Sequence, residues 1–119
     1  MRYREAMKIL RRLERFGIKF GLTNIRRMMR ELGNPHNTLP CVHITGTNGK
    51  GSVAAFLASI LEESGLRVGL YTSPHLIDFR ERIRINGKMI SMSRLTSLIN
   101  TLDRINRKLN LKTTYFEFA

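Results

Sequence analysis

Apolar residues recur at spacings of three and four in the first third of the chain, which predicts two amphipathic helices separated by a loop. The first helix is expected to end at about Arg15 and to bury Tyr3, Met7, Leu10 and Leu13. Two glycines place the loop over residues 16–21. The second helix is expected to start near Thr23 and to stop at Gly33-Asn34-Pro35, with an inward face formed by Ile25, Met28, Met29 and Leu32.

The middle of the chain predicts a strand, a helix and a second strand. Residues 41–45 are a short β-prone run, and residues 67–72 predict the second strand. Between them lies a helix that is expected to end at Gly65, with an apolar face formed by Val53, Phe56, Leu57, Ile60 and Leu61. Because the three elements fit within about thirty residues, we expect a βαβ unit with two parallel strands. The predicted fold class is therefore α/β.

The remaining third predicts a hairpin and a long helix. Residues 82–85 and 88–90 flank Asn86-Gly87, a dipeptide that is typical of type I′ turns. Ser91 or Ser93 is expected to cap the last helix, whose apolar stripe comprises Leu95, Leu98, Ile99, Leu102, Ile105 and Leu109.

The charge balance is strongly positive, because the 119 residues carry a formal net charge of +12. Dense positive charge attracts a nucleic-acid backbone. A second interpretation is that the positive charge lies on solvated helix faces or serves a small polyanionic ligand such as ATP. The arginines of the first two helices lie on segments that are already amphipathic for core packing, and no aromatic residues alternate with them to stack bases. The sequence therefore favours the second interpretation, with no nucleic-acid partner.

Neither a membrane span nor a signal peptide is expected. The longest mainly apolar stretch, residues 53–61, is far shorter than the about 20 residues that cross a bilayer. The single cysteine, Cys41, cannot form an internal disulfide and is interpreted as a buried structural thiol in a reducing compartment. These features predict a cytoplasmic protein with no membrane partner and no obligate protein partner.

The residues most indicative of chemistry form a glycine-rich stretch between the predicted first strand and its helix, Gly46-Thr47-Asn48-Gly49-Lys50-Gly51-Ser52. Backbone N–H groups at the start of a helix lack partners and carry partial positive charge, so this junction suits a phosphate. Lys50 is expected to reach the outer phosphates, and Ser52, with Thr47 as a second candidate, to offer a hydroxyl to phosphate or Mg²⁺. The stretch departs from the general pattern G-x-x-x-x-G-K-[ST], because Ile44 occupies the first glycine position and Gly51 follows the lysine. A structural turn is the alternative.

The same stretch resembles the phosphate loop of the Mur ligase superfamily in its folate-ligase form, G-T-N-G-K-G-[ST], which explains both departures. Residues 71–76 (Y-T-S-P-H-L) and 79–87 (F-R-E-R-I-R-I-N-G) are similar to the next blocks of the folylpolyglutamate and dihydrofolate synthases. Residues 115–118 (Y-F-E-F) resemble a later block, and residues 20–25 and 32–35 resemble that family's N-terminal segment. The blocks follow the family's order and spacing over essentially the whole chain.

The resemblance implies an α/β fold, namely an incomplete P-loop ATPase domain of the Mur-ligase type. Residues 1–119 would be the N-terminal part of the ATP-binding domain, with residues 1–40 a helical segment and residues 41–119 the P-loop region. The implied reaction uses ATP and Mg²⁺ to activate a folate or dihydropteroate carboxylate as an acyl phosphate, from which the amino group of L-glutamate displaces phosphate. The family's C-terminal glutamate-binding domain and second metal site would lie outside these residues, so the chain alone is expected to be inactive.

The resemblance also assigns site residues by position. Gly46, Thr47, Asn48, Gly49, Lys50, Gly51 and Ser52 would hold ATP, with Lys50 as the catalytic residue on the phosphates. Ser73 and Ser52 would be the Mg²⁺ ligands. On the residues alone, the favoured interpretation of Ser73 is a plain turn serine before a proline.

Further candidates, for the folate substrate, are Arg82 and Phe116. Arg80, Arg82 and Arg84 alternate, so a strand would place them on one face toward an anionic folate tail, although a solvated face is equally consistent. Phe116 is a candidate for stacking, with a core position as the alternative. For His75 a structural hydrogen-bonding role is favoured over a catalytic one.

Three other functions stay open beside the folate ligase. Another Mur-type amide ligase is disfavoured by the blocks at residues 71–76 and 79–87. A non-catalytic nucleotide-binding module derived from the same family is the second alternative. Nucleic-acid binding, a third class, rests on charge alone.

Overall fold

The computed structural model describes residues 1–16 and 21–119, and these residues form two compact units. Residues 1–40 and 93–119 make the first unit, and residues 41–92 make the second. The boundary at residue 40 coincides with the expected end of the helical N-terminal segment. The last helices, however, are grouped with that segment and not with the glycine-rich loop. Most of the expected loop over residues 16–21 lies outside the described residues.

In its described residues, the first unit contains helices and no strand. Its α-helices are α1 (Tyr3–Leu13), α2 (Thr23–Glu31), α4 (Met92–Lys108) and α5 (Tyr115–Phe118), the first residue of α4 belonging to the second unit. Short 3-10 helices follow α1 at Glu14–Phe16 and α2 at Pro35–Asn37. Helix α1 packs against α5. The core of this unit consists of apolar side chains from all four helices, namely Ala6, Ile9, Leu10, Leu13, Met28, Leu95, Ile99, Tyr115 and Phe118.

The helices predicted from apolar spacing are confirmed, but their buried faces are narrower than expected. In α2 only Met28 is buried, while Leu32 lies at the surface. In α4 Leu95 is 3% exposed and Leu98 is 44% exposed, so the stripe passes to one side of Leu98. Helix α2 ends as predicted, because Gly33 and Asn34 both adopt positive φ and the Asn34 amide donates to the Met29 carbonyl at 2.8 Å.

Polar contacts complete the first unit. Thr114 caps α5 by accepting the Glu117 amide at 3.2 Å, and the Glu117 carboxylate accepts the Thr114 amide at 2.9 Å. Asn24 of α2 donates to the Lys112 carbonyl at 3.2 Å. Lys108 of α4 pairs with Glu31 of α2 at 2.8 Å. Helix α5 is therefore stabilised by a capping box at its N-terminus, and the residues before it are hydrogen-bonded to α2.

The second unit contains helix α3 (Lys50–Glu63) and a three-stranded sheet. The strands are β1 (Gly69–Tyr71), β2 (Ile83–Ile85) and β3 (Lys88–Met89), in the spatial order β1-β2-β3. Both pairings are antiparallel. Two flanking contacts extend the first pairing, because the Thr72 amide donates to the Arg82 carbonyl and the Asn86 amide to the Val68 carbonyl, each at 2.9 Å.

The α/β class is confirmed, whereas the expected parallel βαβ unit is not formed. Residues 41–45 form no strand, and β1 pairs with β2 instead. Cys41 is exposed, so the prediction of a buried thiol was wrong. The physical reason is that parallel strands are stable only when neighbouring strands and helices cover them on both faces. In the described residues helix α3 does not bury its apolar face in this way, because its Phe56 is 70% exposed.

The hairpin is confirmed at Asn86-Gly87. Both residues adopt positive φ, 48° and 80°, as a type I′ turn requires. The Asn86 side chain also accepts the Val68 amide at 2.8 Å, which ties the turn to the start of β1.

A single carboxylate organises the segment between β1 and β2. Glu81 accepts the backbone amides of Leu76 at 3.1 Å, Ile77 at 3.0 Å and Asp78 at 2.7 Å. Asp78 in turn accepts the Arg80 amide at 2.9 Å and pairs with the Arg80 guanidinium at 2.9 Å. Residues Asp78 and Glu81 thus form a capping box on the 3-10 helix Phe79–Arg82.

These hydrogen bonds favour the ionised form of Glu81. The bond from the Asp78 amide, followed by those from Leu76 and Ile77, lowers the pKa of Glu81 below its ordinary value. Partial burial opposes this effect, and the electrostatic interaction with His75 adds to it. A lowered pKa means that the stabilisation is present above the ordinary glutamate pKa and is lost as the pH falls through the lowered value.

We expect Leu95→Ala to lower the free energy of unfolding by about 2–5 kcal/mol, because it opens a cavity in the core of the first unit. Leu98→Ala makes the same change at an exposed position of the same helix and should cost less than about 1 kcal/mol. Urea titrations followed by circular dichroism measure both. Equal losses in the two variants would contradict this core. Ile99→Val, with an expected loss of about 0.5–1.5 kcal/mol, keeps the test open if Leu95→Ala fails to fold.

We expect Glu81→Gln to speed hydrogen exchange at the amides of residues 76–78, because a glutamine offers one acceptor oxygen where the carboxylate offers two. The parent chain should approach the variant as the pH falls through the lowered pKa of Glu81. NMR-detected exchange measures both effects. Glu63→Gln, an exposed change at the end of α3, is the control and should leave these amides unchanged. Protection that is identical in parent and Glu81→Gln at neutral pH would refute the role of this carboxylate.

Candidate nucleotide-binding site

The glycine-rich loop leads directly into helix α3. The helix begins at Lys50, inside the glycine-rich stretch, and Gly49 is its N-cap residue. Gly49 adopts a φ of 75°, a left-handed conformation that glycine enters without steric cost. The first helical hydrogen bond runs from the Val53 amide to the Gly49 carbonyl at 3.0 Å. The amides of residues 50–52 therefore have no acceptor within the helix and are free to bind an anion.

The stem of the Lys50 side chain lies beside Gly46. A Cβ atom placed on Gly46 would lie 3.7 Å from Cγ of Lys50, so the lysine stem runs across Gly46. Gly46 also has a positive φ of 151°. The two glycines thus let the backbone turn under the lysine, and the ammonium group and the helix amides all belong to one exposed loop. Such a loop offers both a full positive charge and N–H donors to a phosphate chain.

The two serines that the sequence assigns to Mg²⁺ both lie at the surface. Ser52 is exposed in the first turn of α3, and Ser73 is exposed two residues beyond the end of β1. Mg²⁺ prefers oxygen ligands and usually keeps several waters and substrate phosphates in its shell, so one or two protein oxygens are sufficient. Within residues 1–16 and 21–119, no group of three His, Cys, Asp or Glu side chains could hold a metal ion. Both serines supply hydroxyl oxygens of the kind that Mg²⁺ accepts.

Arg82 does not occupy the place that alternation predicted. Residues 80 and 82 lie in the 3-10 helix, and only Arg84 lies in a strand. Arg82 is 8% exposed, and its Nε donates to Nδ1 of His75 at 2.7 Å. Its guanidinium lies over the Phe79 ring, 5.4 Å from the centroid, and a second nitrogen contacts the Tyr71 hydroxyl at 3.4 Å. The capping box is the reason for the difference, because it coils residues 79–82 where a strand was expected.

The other folate candidate, Phe116, lies in α5, and its side chain is outside the described residues. The structure assigns Glu117 to the cap of α5. His75 is half-buried, and its ring meets Phe79 edge to face with centroids 5.7 Å apart. Its hydrogen bond with Arg82 agrees with the structural role favoured for it.

Asp78 and Glu81 were not among the residues predicted to have a role. Their spacing, an acidic residue followed three positions later by Glu, is the capping-box pattern and was visible in the sequence. It was overlooked because the surrounding residues were assigned to a strand.

In the described part of the chain, no helix combines the length and the apolar character needed to cross a membrane.

Several known proteins are similar to this chain. A probable bifunctional folylpolyglutamate synthase/dihydropteroate synthase of Haloferax volcanii is 46% identical over 83% of this chain, which is 12% of that protein. The dihydrofolate synthase/folylpolyglutamate synthase of Bacillus subtilis is 42% identical over 84% of this chain and 23% of its own length. No protein-family model matches the chain.

Solved structures agree with the sequence relatives. The folylpolyglutamate synthetase of Lactobacillus casei superposes with a TM-score of 0.91 at 35% identity, over 99% of this chain and 31% of that one. The folylpolyglutamate synthase of Thermotoga maritima gives a TM-score of 0.84 at 40% identity, over 97% of this chain and 28% of that one. The chain therefore spans less than a third of the proteins that it matches here. These 119 residues are homologous to a short N-terminal portion of the folylpolyglutamate and dihydrofolate synthases and share the fold of that portion.

Proposed function

We propose that this chain supplies the ATP-binding part of a ligase that joins L-glutamate to a folate or dihydropteroate carboxylate through an acyl phosphate. The observation that carries the proposal is the loop in which left-handed Gly49 opens α3 directly before Lys50. Related structures support it, because folylpolyglutamate synthases similar to this chain are bound to AMPPCP, to AMPPCP with folate, and to ADP.

In this proposal the chain's own residues position the phosphates of ATP. The amides of residues 50–52 donate to phosphate oxygens, and Lys50 offsets the charge that develops as the γ-phosphate moves to the carboxylate. Bound Mg²⁺ would neutralise further phosphate charge. Ser52 and Ser73 are the hydroxyls that would hold it. The ligase reaction as a whole is a property of the longer relatives, so nucleotide binding is the activity to measure on these 119 residues.

We expect Lys50→Ala to weaken Mg-ATP binding by about 10- to 100-fold, since a hydrogen bond to a charged group contributes about 1.5–3 kcal/mol. Isothermal titration calorimetry on the folded parent and variant measures this change. Lys88→Ala removes the same charge from an exposed position of the same unit and should leave the affinity unchanged. Equal affinities in parent and Lys50→Ala, or equal losses in the two variants, would overturn the assignment of Lys50.

A pair of glycine variants separates folding from phosphate binding. Gly51 lies in the first turn of α3 and a Cβ there meets nothing within 4 Å, so Gly51→Ala should keep or slightly raise stability, by up to about 1 kcal/mol. It should nevertheless weaken Mg-ATP binding, because the added methyl fills the space in which the phosphate approaches the backbone. Gly49→Ala should instead lose about 1–2 kcal/mol of stability, because alanine is strained at its φ of 75°.

Thermal unfolding and calorimetry on both variants provide the measurement. A Gly51→Ala chain that binds Mg-ATP as tightly as the parent would contradict close approach of a phosphate at this position. A Gly49→Ala chain as stable as the parent would contradict the left-handed conformation of the loop.

A further inference from the structure

The contact between Arg82 and His75 determines which nitrogen of the imidazole carries a proton. A guanidinium has only donors, and Nε of Arg82 lies 2.7 Å from Nδ1 of His75. Nδ1 must therefore present its lone pair, which leaves the proton of the neutral ring on Nε2.

Aromatic contacts hold both partners in this arrangement. Phe79 meets the His75 ring in a T-shaped arrangement and also lies beneath the Arg82 guanidinium. The Tyr71 hydroxyl contacts a second guanidinium nitrogen. Moreover, the Arg82 carbonyl accepts the Thr72 amide, so the backbone of Arg82 is fixed beside the end of β1. Neither side chain is therefore free to choose another rotamer without breaking several contacts.

The opposite nitrogen of His75 remains available. Among the residues that the structure describes, none accepts a hydrogen bond from Nε2 of His75, and no buried side-chain nitrogen or oxygen there lacks a partner. Nε2–H is thus a solvent-accessible donor. It lies two residues after Ser73, in the segment whose backbone Glu81 holds through the Leu76 amide and its neighbours.

We propose that Arg82 is a positioning residue that fixes His75 with its proton on Nε2, and that this N–H donates to an anionic oxygen of a ligand held beside Ser73. The proposal deepens the ligase function proposed above and depends on it for the ligand. Two ligands of the proposed reaction carry such an oxygen, the phosphate chain of ATP and the carboxylate of a folate. Arg82 itself, being buried, acts through His75 and not on the folate tail.

The tautomer is tested without any ligand, by ¹⁵N-resolved NMR of the imidazole nitrogens at about pH 8.5, where an ordinary imidazole is neutral. We expect a protonated Nε2 and an unprotonated Nδ1 for His75. The exposed His36 and His43 should show averaged signals in the same spectrum. Averaged signals for His75, or a proton on Nδ1, would overturn the positioning role.

Three variants show whether Arg82 is the cause. Arg82→Leu should bring the His75 signals to the averaged values of His36, and Arg82→Lys, which keeps a cationic donor, should restore at least part of the preference. Arg84→Leu removes the same charge from the neighbouring strand and should leave His75 unchanged. If Arg82→Leu fails to fold, Arg82→Lys and the parent spectrum still decide the question. A parent-like His75 in a folded Arg82→Leu chain would refute the proposal.

Addition of Mg-ATP or of folate then identifies the ligand oxygen. A shift of the Nε2–H signal on Mg-ATP supports a phosphate oxygen, and a shift on folate alone supports a carboxylate. If calorimetry shows that Mg-ATP binds and neither ligand moves the signal, the donor role is overturned. If Mg-ATP does not bind at all, the proposed function has failed, whereas the tautomer result stands by itself.

Discussion

The antiparallel pairing of β1 with β2 is the constraint on which the candidate site depends. It sets Tyr71 opposite Ile83, and the flanking bond from Thr72 to Arg82 continues the ladder past the strand ends. Because the ladder closes the intervening segment into a loop, residues 73–81 must turn back within a short span. The Glu81 carboxylate makes this turn possible by accepting three consecutive amides that have no strand partner. The pairing therefore brings Arg82 to His75 and leaves Ser73 at the strand end.

Local signals in the sequence predicted most of the elements. Apolar spacing gave the helices, and Asn86-Gly87 gave the hairpin, because both depend on residues that are neighbours in the chain. The prediction of a parallel strand at residues 41–45 was wrong, because these residues form no strand. A strand exists only through its partner, and β propensity says nothing about which partner is present. The same reason explains why Cys41 is exposed.

In the candidate site, too, some features could be predicted from the sequence and others could not. The loop at residues 46–52 could be recognised from its order of glycines and lysine, and the structure adds the left-handed Gly49 and the path of Lys50 over Gly46. The prediction that Arg82 lies on a strand was wrong for a different reason. Alternation of arginines was interpreted as a strand, but the acidic residues at positions 78 and 81 coil this stretch into a 3-10 helix. Where a period-2 pattern and a capping box overlap, the capping box decided the local conformation.

Helix α3 has a further physical consequence. Val53, Phe56 and Ile60 are more than half exposed, and they form one stripe along the helix. Apolar stripes of this kind favour association between molecules of the same chain, yet each molecule also carries a net charge of +12. The repulsion between like-charged molecules is long-ranged only in dilute electrolyte, since the Debye length falls from about 30 Å at 0.01 M to about 8 Å at physiological ionic strength. We therefore expect the colloidal behaviour of this chain to depend on the ionic medium: its charge should keep the molecules apart in dilute buffer, and added salt should remove that barrier.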